Sequence, residues 1–327
     1  PEAIRDYMLS LYSLIFELSR SYQTRLLGYA TPLTHQISDA IQATPALFPE
    51  HATVACQGVE GAYSQLACDK LFKLPHIMYF ASFEAVFAAI ERGLCRYGVL
   101  PLENSYAGEV GQVTDMLFSG TLYINGVYDL PVEHDLVSVP GAAKTGIKTV
   151  VSHPQALSQG ANYIRENGFA QVQYENTAMA AEYILKKNDP TCAAICSKEC
   201  AEIFGLSVLE RHINESRSNT TRFGVFTRAK CRITDNADDP NRRFILLFTV
   251  RNQAGALAEA INIIGRHGYN MTALRSRPMK ELMWNYYFYA ECEGVPDVES
   301  GDAMLDELSC VCDRLKLAGT YKPAVLG

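Results

Sequence analysis

Short β-rich runs alternate with helical patterns from residue 53 to residue 229, and this alternation restricts the possible folds more than any other feature. The predicted strands are 53–56, 76–80, 97–100, 148–151, 172–174 and 193–195, and the predicted helices are 61–72, 83–92, 154–167, 177–187 and 197–204. Such alternation is typical of a mainly parallel sheet with helices on its faces. We therefore expect an α/β domain over residues 51–229, as one body or as two lobes that join near Pro140-Gly141.

The C-terminal part has a different order of elements and follows a polar segment at 236–241. Its patterns predict a strand at 244–250, a helix at 256–267, strands at 270–276 and 284–291, a helix at 302–317 and a short final strand. The order β-α-β-β-α-β is the split βαβ arrangement. We expect a second domain, ferredoxin-like and α+β, over residues 241–327.

Residues 4–27 predict one amphipathic helix, because apolar side chains recur there at steps of three and four. A helix with one apolar stripe must bury that stripe against a partner. Thr31-Pro32 and residues 44–49 predict turns, so we expect residues 1–44 to be this helix and a connector. The sequence begins with Pro1 instead of Met, and we expect a truncated or processed chain.

Charge and composition exclude several classes of function. The 327 residues include 29 Lys and Arg against 36 Asp and Glu, which gives a net charge of −7 and no basic cluster for nucleic acid. We see no secretory signal and no apolar run of the roughly 20 residues that cross a bilayer, so we expect no membrane partner. The ten cysteines lack a common zinc spacing. We expect reduced thiols in a cytoplasmic protein without a metal site.

Polar residues collect at four points near the ends of predicted strands, where the ligand crevice of an open α/β sheet lies. The segments are 58–64, 101–105, 152–159 and 219–223. Each has a structural alternative: a glycine turn, a capping turn, a helix start capped by Ser152 with His153 on the surface, and a strand with an outward Arg222. No nucleotide-binding loop and no Gly-x-Ser-x-Gly elbow is present in the sequence.

Five motifs in this order and spacing together resemble the prephenate dehydratase family. They are Gly-x-x-Gly-x-[Phe/Tyr]-Ser at 58–64, Pro-[Ile/Leu]-Glu-Asn-Ser at 101–105, Ser-His-Pro-Gln-Ala-Leu at 152–157, Thr-Ala-x-Ala-Ala at 177–181 and Asn-x-Thr-Arg-Phe at 219–223. Residues 243–327 resemble an ACT domain with a phenylalanine-binding Gly-Ala-Leu motif at 255–257. Residues 4–27 resemble the last helix of an AroQ-type chorismate mutase, where Ser19 and Gln23 match residues near the mutase substrate.

The resemblance implies a two-lobed dehydratase domain of the periplasmic-binding-protein type that converts prephenate to phenylpyruvate, carbon dioxide and water without a cofactor. It implies that Thr221 bonds to the departing hydroxyl and that Arg222 and the helix starts at Ser64 and Ser152 hold carboxylates. The implied catalytic residues are Thr221, Arg222, Glu103, Asn104 and Ser105, and the implied substrate-binding residues are Ser64, Ser152, Gln159, Thr177 and Phe223. The family has Gln-Cys at the position where this chain has Gln159-Gly160, so the chain departs from the family motif but keeps the glutamine.

The resemblance also implies feedback regulation by phenylalanine in a homodimer or a tetramer. The implied phenylalanine-binding residues are Asn252, Gly255, Ala256, Leu257, Ser276 and Arg277. The second sensor motif departs from Glu-Ser-Arg-Pro because Arg275 stands in place of the acidic residue, so we expect weakened inhibition. The parent chain is expected to be a bifunctional mutase–dehydratase that has lost its mutase activity here. An arogenate dehydratase and a non-catalytic amino-acid-binding protein are the alternatives.

Overall fold

The computed structural model describes residues 2–27, 32–42, 51–216, 218–229, 241–279, 285–296 and 303–322. They separate into two compact units. One lies between Leu47 and Arg228, and the other combines the residues up to Ala46 with the residues from Ala229 to Lys322. In the part of the chain that is described, no helix is long and apolar enough to cross a membrane.

Two helices come first, α1 (Glu2–Leu27) and α2 (Pro32–Gln42). The structure confirms the first helix, but the stripe residues Ile4, Leu11 and Ile15 are 51%, 49% and 49% exposed, so the described chain does not bury the predicted stripe. The prediction of a connector after the first helix is wrong at residues 32–42, which form α2. Pro32 suits the first turn of a helix, and Ile37 lies in the core of the C-terminal domain.

The unit between Leu47 and Arg228 contains most of the secondary structure. Its elements are β1 (His51–Gln57), α3 (Tyr63–Leu71), β2 (Leu74–Phe80), α4 (Phe83–Glu91), β3 (Tyr97–Asn104), β4 (Gly108–Glu109), α5 (Gly111–Ser119), β5 (Tyr123–Pro131), β6 (Asp135–Ser138), β7 (Thr149–Ser152), α6 (Pro154–Gln159), α7 (Ala161–Glu166), β8 (Ala170–Gln173), α8 (Thr177–Lys187), β9 (Cys192–Cys196), α9 (Lys198–Ile203), β10 (Ser207–Glu210) and β11 (Thr220–Thr227). The predicted helix 154–167 is broken at Gly160 into α6 and α7.

These strands form two sheets, which are the centres of two lobes. The first sheet has the order β5-β11-β3-β1-β2, with β4 beside β3, and the second has the order β10-β6-β9-β7-β8. Each sheet mixes parallel and antiparallel pairs, whereas the alternation predicts a mainly parallel sheet. The chain crosses between the lobes twice, first at residues 132–134 and again between β10 and β11, where residues 211–216 and 218–219 are described. We call these two crossings the hinge.

The hinge corrects the predicted junction at Pro140-Gly141, which lies after β6 inside the second lobe. The prediction is wrong because residues 123–139 contain two strands with only a short polar break between them. Pro-Gly is the stronger turn signal, but here it only ends β6.

Side-chain caps and one close contact explain where several helices start and how they pack. Asn176 Oδ1 accepts from the Met179 N–H at 2.7 Å, and Ser197 Oγ accepts from the Cys200 N–H at 3.1 Å. On β3, a Cβ atom at Gly98 would lie 2.4 Å from Ile90 Cδ1. Glycine at this position therefore lets α4 pack directly on the strand.

The C-terminal domain contains β12 (Arg243–Val250), α10 (Ala256–Arg266), β13 (Met271–Pro278), β14 (Tyr286–Glu293), α11 (Ala303–Val311) and β15 (Cys312–Tyr321). Its antiparallel order β13-β14-β12-β15 confirms the ferredoxin-like fold. The helix predicted at 302–317 is wrong beyond Val311. The apolar residues that follow it suit a strand as well as a helix, and pairing with β12 makes them a strand.

Candidate active site

Thr221 and Asn104 face each other across an antiparallel strand pair. The register of β11 and β3 places them opposite, and Asn104 Nδ2 donates to Thr221 Oγ1 at 2.9 Å. Asn104 Oδ1 accepts from the backbone N–H groups of Tyr106 and Ala107 at 3.0 and 2.9 Å, which fixes the orientation of the amide. Since Thr221 Oγ1 accepts this bond, its own O–H proton is available to a different acceptor.

A chain of amides continues from Asn104 to the second lobe. Asn104 Nδ2 donates to Asn219 Oδ1 at 2.9 Å, and Asn219 Nδ2 donates to Gln159 Oε1, also at 2.9 Å. All three side chains are buried. Gln159 Nε2 is buried and has no hydrogen-bond partner among the described residues. A buried amide donor without a partner is costly, and this one is available to a ligand.

His134 and Tyr63 complete this network, and the sequence reasoning does not identify either as a site residue. His134 Nε2 contacts Gln159 Oε1 at 2.8 Å, and His134 Nδ1 contacts the Tyr63 hydroxyl at 3.0 Å. Tyr63 belongs to the first glycine motif, and His134 lies outside every motif. A lone histidine after an apolar strand carries no sequence signal for this role.

Arg222 and Glu103 form the next register pair, on the opposite face of the strands from Thr221 and Asn104. The Arg222 guanidinium bonds Asp129 on β5 through Nε at 2.8 Å and Nη2 at 3.0 Å. This bidentate ion pair already uses the planar fork of the arginine. This ion pair on the opposite face therefore argues against the expectation that Arg222 holds a substrate carboxylate beside Thr221.

Two of the expected substrate-binding residues are structural. Ser152 is fully buried on β7 and donates to the Ile195 carbonyl at 2.7 Å, so it neither caps α6 nor offers a hydroxyl to substrate. The cap is His153, whose Nδ1 accepts from the Gln155 N–H at 3.2 Å. Phe223 is 2% exposed and packs in the core of the first lobe. Both expectations are wrong.

The remaining predicted residues lie at loop and helix ends. Ser105 Oγ donates to the Ser218 carbonyl at 3.0 Å and accepts from the Thr220 N–H at 2.9 Å, which ties the two loops beside Asn104 together. Ser64 and Thr177 are buried in the first turns of α3 and α8. Both therefore lie where helix N–H groups favour an anion.

Burial sets the electrostatics of the site. Loss of hydration lowers the pKa of His134 and His153 below the ordinary 6.5 and raises the pKa of Tyr63 above the ordinary 10.0. At neutral pH these groups are therefore an uncharged imidazole pair and a protonated phenol. Across the described residues, no group of three or more His, Cys, Asp and Glu side chains is arranged to hold a metal ion.

Comparison with known proteins identifies the architecture. The prephenate dehydratase family model matches residues 54–231, and the ACT domain model matches residues 244–307. This chain belongs to the prephenate dehydratase family. It carries a prephenate dehydratase domain, which belongs to the lyases, followed by an ACT regulatory domain.

Several relatives cover most of the chain. A bifunctional chorismate mutase/prephenate dehydratase of Escherichia coli K12 is 30% identical over 87% of this chain and 76% of its own length. An arogenate dehydratase/prephenate dehydratase of Arabidopsis thaliana is 34% identical over 82% of this chain and 71% of its own length.

Two solved structures share the fold, each with a TM-score of 0.75. GqqA, described as a novel type of quorum-quenching acylase, is 32% identical and is covered over 98% of its chain and 84% of ours. The prephenate dehydratase of Arthrobacter aurescens in complex with L-Phe is 22% identical and is covered over 89% of its chain and 83% of ours. At that identity, the second similarity shows the fold alone.

The ACT domain of this prephenate dehydratase chain carries the predicted effector residues in two places. Gly255, at a φ of 86° that favours glycine, precedes α10, where Ala256 is buried and Leu257 is half-buried. Asn252 is exposed in the same loop. Ser276 and Arg277 lie on β13, which β14 separates from β12. Arg275 places its guanidinium 5.3 Å from the centroid of the Tyr289 ring.

The two N-terminal residues that match a chorismate mutase are also described. Gln23 Nε2 donates to Ser19 Oγ at 3.3 Å, and both side chains are exposed on α1. A bond of this kind joins neighbouring turns of one helix.

Proposed function

We propose that this protein is a prephenate dehydratase in which Thr221 assists the departure of the ring hydroxyl. One observation carries the proposal: Thr221 Oγ1 accepts a hydrogen bond from Asn104, so its own proton can be donated to the leaving oxygen. A threonine is too weak an acid to give up its proton outright. It therefore donates a hydrogen bond, or relays a proton that it regains from water.

The reaction needs no further chemical group. The bond between the ring and its carboxylate breaks, carbon dioxide leaves, and the electron pair moves into the ring as the C4–oxygen bond breaks. The hydroxyl takes up one proton and leaves as water, so the prephenate dianion and one proton give phenylpyruvate, carbon dioxide and water. The ring becomes aromatic, and the protein only has to bind, orient and stabilise the developing charge.

The other site residues have binding and positioning roles in this proposal. Asn104 orients Thr221, and the unpartnered Gln159 Nε2 donates to an oxygen of the substrate. The helix starts at Ser64 and Thr177 bind carboxylates. Ser105 fixes the loops next to Asn104, and the ion pair of Arg222 with Asp129 supports β11 from its far face, next to Glu103.

Comparing the turnover of prephenate with that of its amino analogue, arogenate, distinguishes the two possible substrates. The Arabidopsis relative carries both dehydratase names, so arogenate is the competing substrate. A kcat/KM at least about 10-fold higher for prephenate than for arogenate, a difference of roughly 1.4 kcal/mol, would support the proposed substrate. The reverse ratio would indicate an arogenate dehydratase. Binding without turnover of either acid would indicate an amino-acid-binding protein.

We propose that phenylalanine regulates the enzyme through the ACT domain of a homodimer or a tetramer in the cytoplasm. Within one chain, β14 separates β13 from the strand that leads into the Gly255 loop. Pairing of ACT domains from two copies would bring the two segments together and complete the effector site. The boundaries 1–44, 51–229 and 241–327 remain our predictions for the three parts of the chain.

A further inference from the structure

His134 lies in the hinge between the two lobes of the dehydratase domain. Its backbone carbonyl accepts from the Ile213 N–H at 2.8 Å, and its own N–H donates to Asn214 Oδ1 at 3.1 Å. Both partners belong to the second crossing. The position of His134 is therefore fixed by bonds between the two chain segments that connect the lobes.

The His134 side chain links one lobe to the other. Its Nδ1 contacts Tyr63 at the start of α3 in the first lobe, and its Nε2 contacts Gln159 on α6 in the second. The ring is 3% exposed, and both nitrogens are occupied by these contacts. An imidazole with no unoccupied nitrogen is poorly placed to exchange protons with a substrate, so acid–base catalysis is not its function here.

The amide network determines which nitrogen of His134 is protonated. Backbone N–H groups fix Asn104 Oδ1, so Asn104 Nδ2 faces Asn219 Oδ1, and Asn219 Nδ2 in turn faces Gln159 Oε1. His134 Nε2 therefore faces an oxygen and must carry a proton. This holds whether the Tyr63 hydroxyl donates to His134 Nδ1 or to the Glu133 carbonyl, which it also contacts.

We propose that His134 is a positioning residue for the dehydratase reaction. Its Nε2–H holds the Gln159 amide with Nε2 turned toward the substrate and, through Asn219, supports the Asn104 donor that orients Thr221. Without this proton donor, Gln159 Oε1 keeps only the hydrogen bond from Asn219 Nδ2, so turning the amide over costs less free energy and its oxygen faces the substrate in a larger fraction of molecules. The inference rests on the proposed function, because it assigns Gln159 and Thr221 to the same substrate.

Two variants of similar size test this role because each retains a different edge of the ring. His134→Gln can place an amide donor where Nε2 stands, whereas His134→Asn reaches only the position of Nδ1. We expect His134→Asn to lower kcat on prephenate at least about 10-fold, because misoriented groups cost about that much or more. We expect His134→Gln to stay within about 3-fold of the wild type. His76→Gln, which removes an exposed histidine on β2, is the control.

Three results would overturn the proposal. The first is an equal kcat for the Gln and Asn variants, and the second is a change in KM alone with kcat unaltered. The third is the disappearance of one of the two pKa values from the kcat–pH profile of His134→Gln, which would make His134 an acid or a base. If a variant does not fold, the nitrogen-15 spectrum of the histidines in the wild-type protein decides. We expect a protonated Nε2 for His134, and a neutral Nδ1–H tautomer would contradict the network.

This spectrum also separates the inference from the proposed function. It requires no substrate, so it tests the proton on Nε2 even in a protein that does not turn over prephenate. Absence of turnover in the wild type would overturn the proposed function, while a protonated Nε2 would still establish the structural link between the lobes. A lowered kcat in His134→Asn supports the inference only where the wild type is active.

Discussion

At the scale of single residues, the site depends on hydrogen-bond direction more than on charge. Asn104 Oδ1 accepts from two backbone N–H groups, so its Nδ2 group must point to the acceptors on the other side. The two shortest of these bonds, both 2.9 Å, go to Asn219 Oδ1 and Thr221 Oγ1, and the Thr220 carbonyl lies farther away at 3.2 Å. Because these side chains are already oriented, they do not have to reorient during the reaction, and the reaction has no free-energy cost from this source. In the proposed mechanism, neutral amides therefore orient the Thr221 hydroxyl.

The isosteric change Asn104→Asp tests this direction. An aspartate keeps the oxygen that accepts from the backbone but has no proton for Thr221, and it places a negative charge beside a dianionic substrate. We expect kcat/KM on prephenate to fall at least about 10²-fold, the low end for loss of a preorganised donor. Thr220→Ser, a change on the neighbouring residue that keeps its backbone bonds, is the control. Activity near that of the wild type in folded Asn104→Asp would contradict the role of Asn104.

His134 and His153 predict a pH dependence of stability. Burial lowers the pKa of both imidazoles below 6.5, so the unfolded chain binds protons more readily than the folded one as the pH falls through that value. Stability is therefore lost from about pH 6.5 downward and levels off below the folded pKa values. Urea midpoints at about pH 7.5 and pH 5.5 should differ less for His134→Gln than for the wild type. An unchanged difference would show that His134 does not contribute.

The sequence reveals the residues with strong local signals and misses those defined by distant partners. Thr221, Asn104 and Gln159 belong to motifs, and the structure joins them in one network. His134 acquires its role from Tyr63, which is 71 positions away, and no local pattern encodes that contact. Arg222 resembles a substrate anchor only while its partner on β5 is unknown.

At the scale of secondary-structure elements, β11 determines the geometry of the site. It pairs with β3 on one side and β5 on the other, and it starts directly after the second hinge crossing. Helix α8 begins and ends at the predicted residues because it has a clear cap and period. The sequence does not predict β5 and β6, because polar residues interrupt the apolar ones along both strands. The sequence predicts a helix over the first half of β15, because no turn signal precedes that strand.

The ion pair between Arg222 and Asp129 predicts how β11 responds to mutation. Both side chains are less than a third exposed, at 29% and 28%, and they bond in bidentate geometry. A double-mutant cycle with Arg222→Met and Asp129→Asn should give a coupling of about 1 kcal/mol in the free energy of unfolding, after allowance for partial exposure. The KM for prephenate should rise less than about 3-fold in Arg222→Met.

The opposite result in both measurements would show that Arg222 binds the substrate. An additive cycle together with a large rise in KM would mean that the guanidinium leaves Asp129 when the substrate binds. Loss of one carboxylate contact of this strength raises KM by about 10-fold or more, since charged hydrogen bonds contribute roughly 1.5–3 kcal/mol. A structural role and a substrate-binding role of Arg222 therefore predict different coupling energies and different values of KM.

At the scale of the whole molecule, a catalytic unit and a sensor unit are joined in one chain. Regulation requires that phenylalanine bind more tightly to one arrangement of the catalytic lobes than to another. The sensor fold is confirmed, but Arg275 replaces the acidic residue of the family motif, and its charge lies over the Tyr289 ring. A cation above an aromatic face is a favourable contact that an acidic side chain cannot make.

This substitution predicts that binding and inhibition are separable. We expect phenylalanine to give measurable heat in calorimetry and to inhibit prephenate turnover only weakly. Arg275→Glu should strengthen inhibition at least about 5-fold at equal occupancy, the lower range of allosteric coupling. Arg275→Gln, which removes the positive charge without adding a negative one, is the control. No heat at millimolar phenylalanine would refute the site, and equal inhibition in all three proteins would refute the role of Arg275.

The most direct test of the account is phenylpyruvate formation from prephenate by the wild type, Thr221→Ser and Thr221→Ala, followed by the ultraviolet absorbance of the product. We predict that the wild type releases phenylpyruvate and carbon dioxide in equal amounts. Thr221→Ser, which keeps the hydroxyl, should retain much of the rate, whereas Thr221→Ala should lose at least about 10²-fold in kcat. A folded Thr221→Ala protein that makes phenylpyruvate at the wild-type rate would contradict the central claim.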